Sequence, residues 1–530
     1  MDARLIQTNI PPLEEDALRA AALIRDEEAE FKNVEAQIAE LARRRDVIHG
    51  RLCMLKNVVS ASRRVPHEIV AEIFSLCVAS CDSELPSSSN ISNVLSQICS
   101  GWRQVALQTP VLWGDIRLEF KDEMSTRAMA GYVDIAKLWI GRCQNFTFNL
   151  AITTMTKPDH PLNPAKEILL IEPEGIAILE LHLHETYLPV LAELSADCFP
   201  SLMRFEGSIM HSHSRFGGRV TWAPFPPDIK AFKTAPILDM LKFTIEQPLF
   251  DGTSLPFPWD QLLFLDLRGY TNMKIGIEGG IEPDSMRRVL EQCHRLEQCS
   301  ITLSKADTVA TTPLSLRNLE RLDLLLGSAQ THVFLSNMEL PKLRDLKVSC
   351  MYESDILPLE SMIDMLRLSQ CKLEELSFSG GSYIVTEQLI QVLELAPSIR
   401  KLSTLFTYTT PMDYASYLIY NRGSRYLLPN LRSLSIDFSK KTLGPPLEEC
   451  RQNLLMVITS RGYWDIPDHA SLYIREDTGS GPATAAKLEE INVFFPDNAE
   501  GKDCYQQFTR TGLRVTVQEI PRYVTRDYFE

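Results

Sequence analysis

Twelve cysteines are scattered over 530 residues without one CxxC spacing, and no GxGxxG, P-loop, GxSxG or HExxH pattern occurs. These absences remove the usual signatures of nucleotide binding, of a serine-hydrolase elbow and of a zinc hydrolase. No run approaches the roughly 18 uninterrupted apolar residues of a membrane span, so no membrane partner is expected. A formal net charge of −15 leaves no positive field for phosphate, so no nucleic acid is expected either. The first 30 residues carry Glu14, Glu15 and Asp16, which does not suit a secretory signal. With unpaired cysteines lying inside apolar runs, the expected compartment is intracellular, cytoplasmic or nuclear.

Metal and acid–base sets are equally thin. Cys77 and Cys81 lie one helical turn apart, and His182/His184 and His211/His213 form HxH pairs, but none has an evident third and fourth ligand. Glu374-Glu375 and Glu489-Glu490 are adjacent, so on a strand they point to opposite faces and cannot act jointly. The reading is of a non-catalytic protein with no metal and no cofactor.

Composition itself is ordinary, 45% hydrophobic and 23% charged, and the length calls for several domains or a repeat array. Between Leu13 and Val59 there is one glycine, Gly50, and no proline. Apolar residues recur there every seven positions. One seam reads Ile24, Phe31, Ile38, Arg45, Leu52, Val59 and the other Glu27, Val34, Leu41, Ile48, Leu55. This a/d spacing keeps a stripe facing another helix. Two readings stay open: a homodimer through residues 14–59, or a long helix lying on its own chain.

Beyond it, Pro66 and Glu68 suit the first turn of a helix that carries Ile69, Ile73, Phe74 and Cys77 at helical spacing. A polar segment from Asp82 to Asn90 reads as a loop. A second helix starts near Ser92 with Val94, Leu95, Ile98, Trp102, Val105 and Ala106 on its apolar side. Thr109-Pro110 opens a short element with Val111, Leu112 and Trp113, and Asp115 to Leu118 alternates as an entering strand.

The phrases VPHEIVAEIF and LSQICSGWRQVALQTPVLWGDIRL resemble the F-box of mushroom-type (basidiomycete) fungi, written LPxEILxxIF followed by VCxxWRxxAxxTPxLW. The likeness covers about 55 residues, or roughly 120 with the preceding heptad helix, which is common in those proteins. Val65 stands in place of the usual leucine, and the serine-rich segment lengthens the gap between the first two helices. The resemblance implies docking to the adaptor subunit of a cullin–RING ubiquitin ligase. It places Pro66, Ile69, Ile73, Phe74 and Leu95 against the adaptor or the motif's own core. Trp102 and Trp113 would pack that core.

From Ile176 to Val493 one phrase recurs eleven times, apolar-x-x-apolar-x-apolar, mostly 23 to 36 residues apart. Helix-like stretches such as Ser285 to Cys293, Ser361 to Ser369 and Thr386 to Leu395 lie between some of them. Strand plus helix at this period is the leucine-rich-repeat layout, in which each unit buries its stripe by stacking on neighbours. The closing asparagine or cysteine is mostly missing, Cys350 being nearest to it, so an irregular solenoid is expected.

The expected fold class is therefore α/β: a heptad helix (1–60), an F-box-like helical domain (61–118), a leucine-rich-repeat-like solenoid (119–495) and a cap or tail (496–530). Alternate strand residues point out of the arc, which puts Lys242, Asp266, Arg268, Asp323, Lys347, Ser377, Ser435 and Asn492 on the expected substrate face. The function expected is a substrate-recognition adaptor with two partners, a ligase adaptor subunit and a protein substrate. The alternative is a coiled-coil and repeat scaffold with no link to ubiquitin.

Overall fold

In the computed structural model, an α/β architecture follows one long helix. The structure describes residues 11–59, 64–79, 90–121, 124–154, 163–210, 229–245, 255–269, 271–272, 277–278, 280–304, 312–327, 333–350, 357–380, 385–405, 417–419, 427–437, 447–461, 486–496, 509 and 512–520. The expected loop at 82–89, Cys81, and the His211/His213 pair lie outside them.

Helix α1 (Glu14–Val58) is 45 residues long, with Glu14, Glu15 and Asp16 at its positive end and Lys56 at its negative one. None of its described residues is buried. The reading in which it lies on its own chain is thus not the arrangement found. Every apolar seam residue faces solvent.

Helices α2 (His67–Ala79), α3 (Ile91–Ile98) and α4 (Ser100–Leu107) and a 3-10 turn (Pro110–Trp113) form a compact unit. The single second helix expected from Ser92 is in fact two. Cys99 adopts extended backbone (φ −157°, ψ 167°) and caps the second through its sulfur, which accepts from the Trp102 N–H. That break turns Val94 and Ile98 outward. Asn90 caps the first, its side-chain oxygen accepting from the N–H groups of Ser92 and Asn93. Thr109 makes no side-chain cap; its hydroxyl donates back to the Val105 carbonyl at 2.8 Å.

Fourteen strands follow in one parallel sheet, ordered in space as they are in sequence. They are β1 (Asp115–Phe120), β2 (Phe148–Thr154), β3 (Ile176–His184), β4 (Arg204–Met210), β5 (Met240–Ile245), β6 (Phe264–Gly269) and β7 (Gln298–Leu303). Then come β8 (Arg321–Leu326), β9 (Asp345–Cys350), β10 (Glu375–Ser379), β11 (Lys401–Leu405), β12 (Ser433–Asp437), β13 (Glu490–Pro496) and β14 (Arg514–Ile520). Among the connections are α5 (Thr126–Cys143), α8 (Pro283–Leu290), α9 (Leu359–Ser369), α10 (Thr386–Leu395) and α11 (Leu447–Ser460), with shorter α6 (Pro164–Leu169) and α7 (Pro189–Glu193). One strand per unit, each pairing only with its neighbours, is a leucine-rich-repeat-like solenoid.

The sheet begins at Asp115, inside the segment assigned to the helical domain, and continues past 495 to Ile520. Trp113 joins the two regions. Its indole N–H donates to the Ala106 carbonyl at 2.9 Å, its ring meets Trp139 of α5 edge-on at 4.9 Å, and Arg142 lies over it at 4.1 Å. The helical unit and the first repeat therefore share one core.

Strand register explains why the sequence stacks. An unbroken apolar ladder runs Ile116, Leu150, Leu179, Phe205, Leu241, Leu265, Cys299 and then Leu322, Leu346, Leu376, Leu402, Leu434, Ile491, Val515. Each fully buried leucine contributes about 1.5–3 kcal/mol. Gly207 leaves room on the adjacent row: a Cβ there would collide with the Phe243 and Phe205 rings. Gly380 sits at φ +71°, where an added Cβ would overlap the Cys350 carbonyl oxygen.

Two buried arginines tie connections to the solenoid through backbone carbonyls. Arg461 donates to the carbonyls of Leu418, Leu428 and Leu427 at 3.0, 2.9 and 2.9 Å. Arg287 donates to the carbonyls of Phe334 (2.6 Å) and Thr312. Carbonyl acceptors satisfy guanidinium N–H donors that burial has taken from water.

Candidate functional site

Two surfaces collect the residues singled out from sequence. The first is α2. Its 13 residues place Val70 and Phe74 inward, and Ile69, Ile73 and Leu76 outward on one stripe. Phe74 has no exposed surface and meets Trp102 edge-on, ring centroids 5.1 Å apart. Ile69 and Ile73 remain 52% and 46% exposed, beside exposed Pro66.

The five residues assigned to adaptor contact thus divide. Phe74 and Leu95 belong to the unit's own core, because residues four apart share a face but residues 69 and 74 lie well over 100° apart on the helix. Trp102 is half-buried and Trp113 fully buried, so both pack the core. Leu76, which was not singled out, completes the outer stripe. Its i+7 spacing from Ile69 was the available signal.

The second surface is the outward row of the sheet. Register aligns Glu180, Glu206, Lys242, Asp266, Ser300, Asp323, Lys347, Ser377, Ser403, Ser435, Asn492 and Thr516 in one continuous line. Seven of the eight residues expected on the substrate face fall on this row. Arg268 stands on the neighbouring row, opposite Thr244. Glu180, Glu206, Ser300 and Ser403 occupy the same outward position of their own phrases and were not named.

Two of the expected residues are not presented to solvent. Asp266 is only 6% exposed, because Arg268 folds over it at 2.9 Å. Ser435 is buried with its hydroxyl accepting from the Asn492 amide at 3.2 Å. A depression of about 420 Å³ lies on this face, where Arg321, Lys347 and Lys401 alternate with Asp323, Asp345 and Glu375. Beyond Lys347 the row changes character to serines, an asparagine and a threonine.

The charges satisfy one another. Glu206 bridges Arg204 (3.0 Å) and Lys242 (2.5 Å). Arg268 links Asp266 to Asp323 (3.5 Å), which meets Lys347 at 3.6 Å. Burial alone would raise the Glu206 carboxyl, but Lys242 and Arg204 overcome it and hold the group below its usual range. At Asp266 burial wins over Arg268 and Lys242, and the carboxyl is raised. Asp345 is raised as well, by burial and then by Glu375. Such a row is polar and of mixed sign, an arrangement that matches a complementary surface by position.

His182 and His184 do not converge on a common site. His182 Nδ1 lies 2.7 Å from the Ser208 hydroxyl, and His184 Nδ1 lies 2.9 Å from that of Thr186. Among the described residues no group of three or more His, Cys, Asp or Glu could hold a metal ion. Burial pushes the Cys143 thiol up to about 11 and those of Cys198 and Cys293 up to about 12, conditions that suppress thiolate. No described helix is long and apolar enough to cross a membrane.

No family model matches the sequence, and neither does any curated protein. Among solved structures, the chain is similar to one in the mouse RP105/MD-1 complex, at 12% identity and TM-score 0.30, over 72% of this chain. The chain spans about 61% of the length of that protein. It is also similar to a chain of the yeast Rad7 and Elc1 complex, at 14% identity and TM-score 0.29, covering 75% of this chain and 94% of that one. Identities and scores of this size assign the chain to no family.

Proposed function

We propose that this chain is the substrate-recognition subunit of an F-box-type, cullin–RING ubiquitin ligase. One observation carries the proposal: Ile69 and Ile73 stay about half exposed on a helix whose Val70 and Phe74 are buried. A small helical unit that spends apolar surface in this way has a partner to cover it. The sequence pattern around the stripe, Pro66 to Phe74 and then Trp102 to Trp113, supports the ligase adaptor as that partner. An interface of standard size, roughly 1,600 Å² in total, is enough.

The repeat face then holds a protein substrate. Its part in the reaction is proximity: it raises the effective concentration of substrate beside the catalytic machinery and supplies no reacting group. The alternation of signs across the depression supports recognition of a protein with a complementary charge pattern.

Calorimetry of the full chain against the fungal ligase adaptor tests the reading. Binding at micromolar or tighter affinity, abolished by Ile69→Glu with Ile73→Glu, is the expected result. No binding by a folded chain, with its circular dichroism unchanged, would overturn it and leave a coiled-coil repeat scaffold as the account.

A further inference from the structure

Helix α1 presents its seam to solvent along its whole length, and its charge is unevenly divided. From Glu14 to Ala36 there are eight acidic and three basic side chains; from Gln37 to Val58 there are two acidic and five basic. The two seam interruptions follow the same polarity, Glu27 in the acidic half and Arg45 in the basic half. We infer that α1 pairs with a second copy of itself as an antiparallel coiled coil. The inference rests on the heptad pattern and charge order of α1 alone, and not on the adaptor reading.

A parallel pair would stack like on like. Glu27 would face Glu27 and Arg45 would face Arg45 in the seam. At the flanks, Glu30 would meet Glu35 and Arg51 would meet Lys56. Each is a repulsion within the least hydrated part of the interface.

An antiparallel pair centred on Ala36, the midpoint of Glu14–Val58, overlaps the helices over their full length. Each seam residue then faces the one equally far beyond Ala36 in the second copy. Ile24 meets Ile48, Phe31 meets Leu41, Val34 meets Ile38, Leu13 meets Val59, and Glu27 meets Arg45, twice by symmetry. On the flanks Glu30 meets Arg44 and Glu14 meets Lys56, each twice by symmetry, against one like-charged contact of Glu35 with its own copy. In the single chain Arg45 leans on exposed Asp46 at 2.7 Å, an exposed contact of little worth that it can exchange. The register that matches the charges is also the one that matches the helix ends. Gly50 falls on the outer surface, where an added Cβ would meet nothing.

The test is sedimentation of the full chain with a charge-swap cycle. Glu27→Arg alone and Arg45→Glu alone should each raise the dimer dissociation constant roughly tenfold or more, and the double variant should restore it. Cross-linking gives a second readout. A Glu27→Cys chain mixed with an Arg45→Cys chain should form a disulfide between those two positions by peptide mapping, and Glu27→Cys alone should not link to itself. A monomer at all concentrations, a double variant no tighter than the singles, or self-linked Glu27→Cys would each overturn the proposal.

Discussion

Phe74 and Ile69 sit five residues apart on one short helix, and the structure assigns them opposite sensitivities. Phe74→Ala removes a fully buried ring and its edge contact with Trp102. Comparable core truncations cost about 3–5 kcal/mol, with the aromatic pair contributing about 0.5–1.5 kcal/mol. Ile69→Glu and Ile73→Glu remove half-exposed side chains and should each stay within about 0.5 kcal/mol. A carboxylate at position 69 even lies near the positive end of α2. Urea unfolding followed by indole fluorescence reads both effects. The expected pattern is Phe74→Ala much less stable, and the double glutamate variant stable but unable to bind the adaptor. If Phe74→Ala costs under about 1 kcal/mol, or the glutamates cost as much as it does, the division of α2 into a core face and a docking face is wrong.

Other consequences are open to measurement. Burial raises the Asp266 carboxyl, so its ionisation costs stability as pH rises through its folded value; Asp266→Asn should raise the melting temperature at pH ~7, the gain fading toward pH ~4. Glu206 has the opposite sign: Lys242 and Arg204 outweigh burial, so Glu206→Gln should lower the melting temperature at pH ~7 and lose its effect on acidification. Gly380→Ala, at φ +71° against the Cys350 carbonyl, should destabilise by about 2 kcal/mol or more in equilibrium unfolding. Arg461→Met removes the side-chain donor to three carbonyls, of which that of Leu428 keeps the Leu431 N–H, and hydrogen exchange should quicken across 427–428 and 417–419, with about 2 kcal/mol or more of local protection lost.

Much of the solenoid was readable because its signal repeats. The eleven apolar phrases are strands β3 to β13 in order, and the outward position of each predicted one row of the sheet. Three of the fourteen strands lie outside those phrases: β1, read only as an alternating run, and β2 and β14. What the sequence did not disclose is local and geometric. Helical spacing could not tell which of two neighbouring stripes on α2 is covered, since Ile73 and Phe74 are both apolar and one residue apart. Nor could a strand pattern reveal that Arg268 would close over Asp266, which depends on how a long side chain lies across its own strand. The break at Cys99 was hidden because its extended backbone interrupts a run that is apolar on both sides.

The agreement between strand order in space and in sequence bears on how the chain is made. On a ribosome each strand emerges when its neighbour already exists, so every pairing after the first extends a finished edge and no distant segment need be awaited. The start of that process is the helical unit, whose Trp113, packed on Trp139 of α5, closes the first repeat before β2 has appeared. A lesion in this unit is accordingly a lesion in the template for everything downstream, and the same change near β14 costs only the last edge.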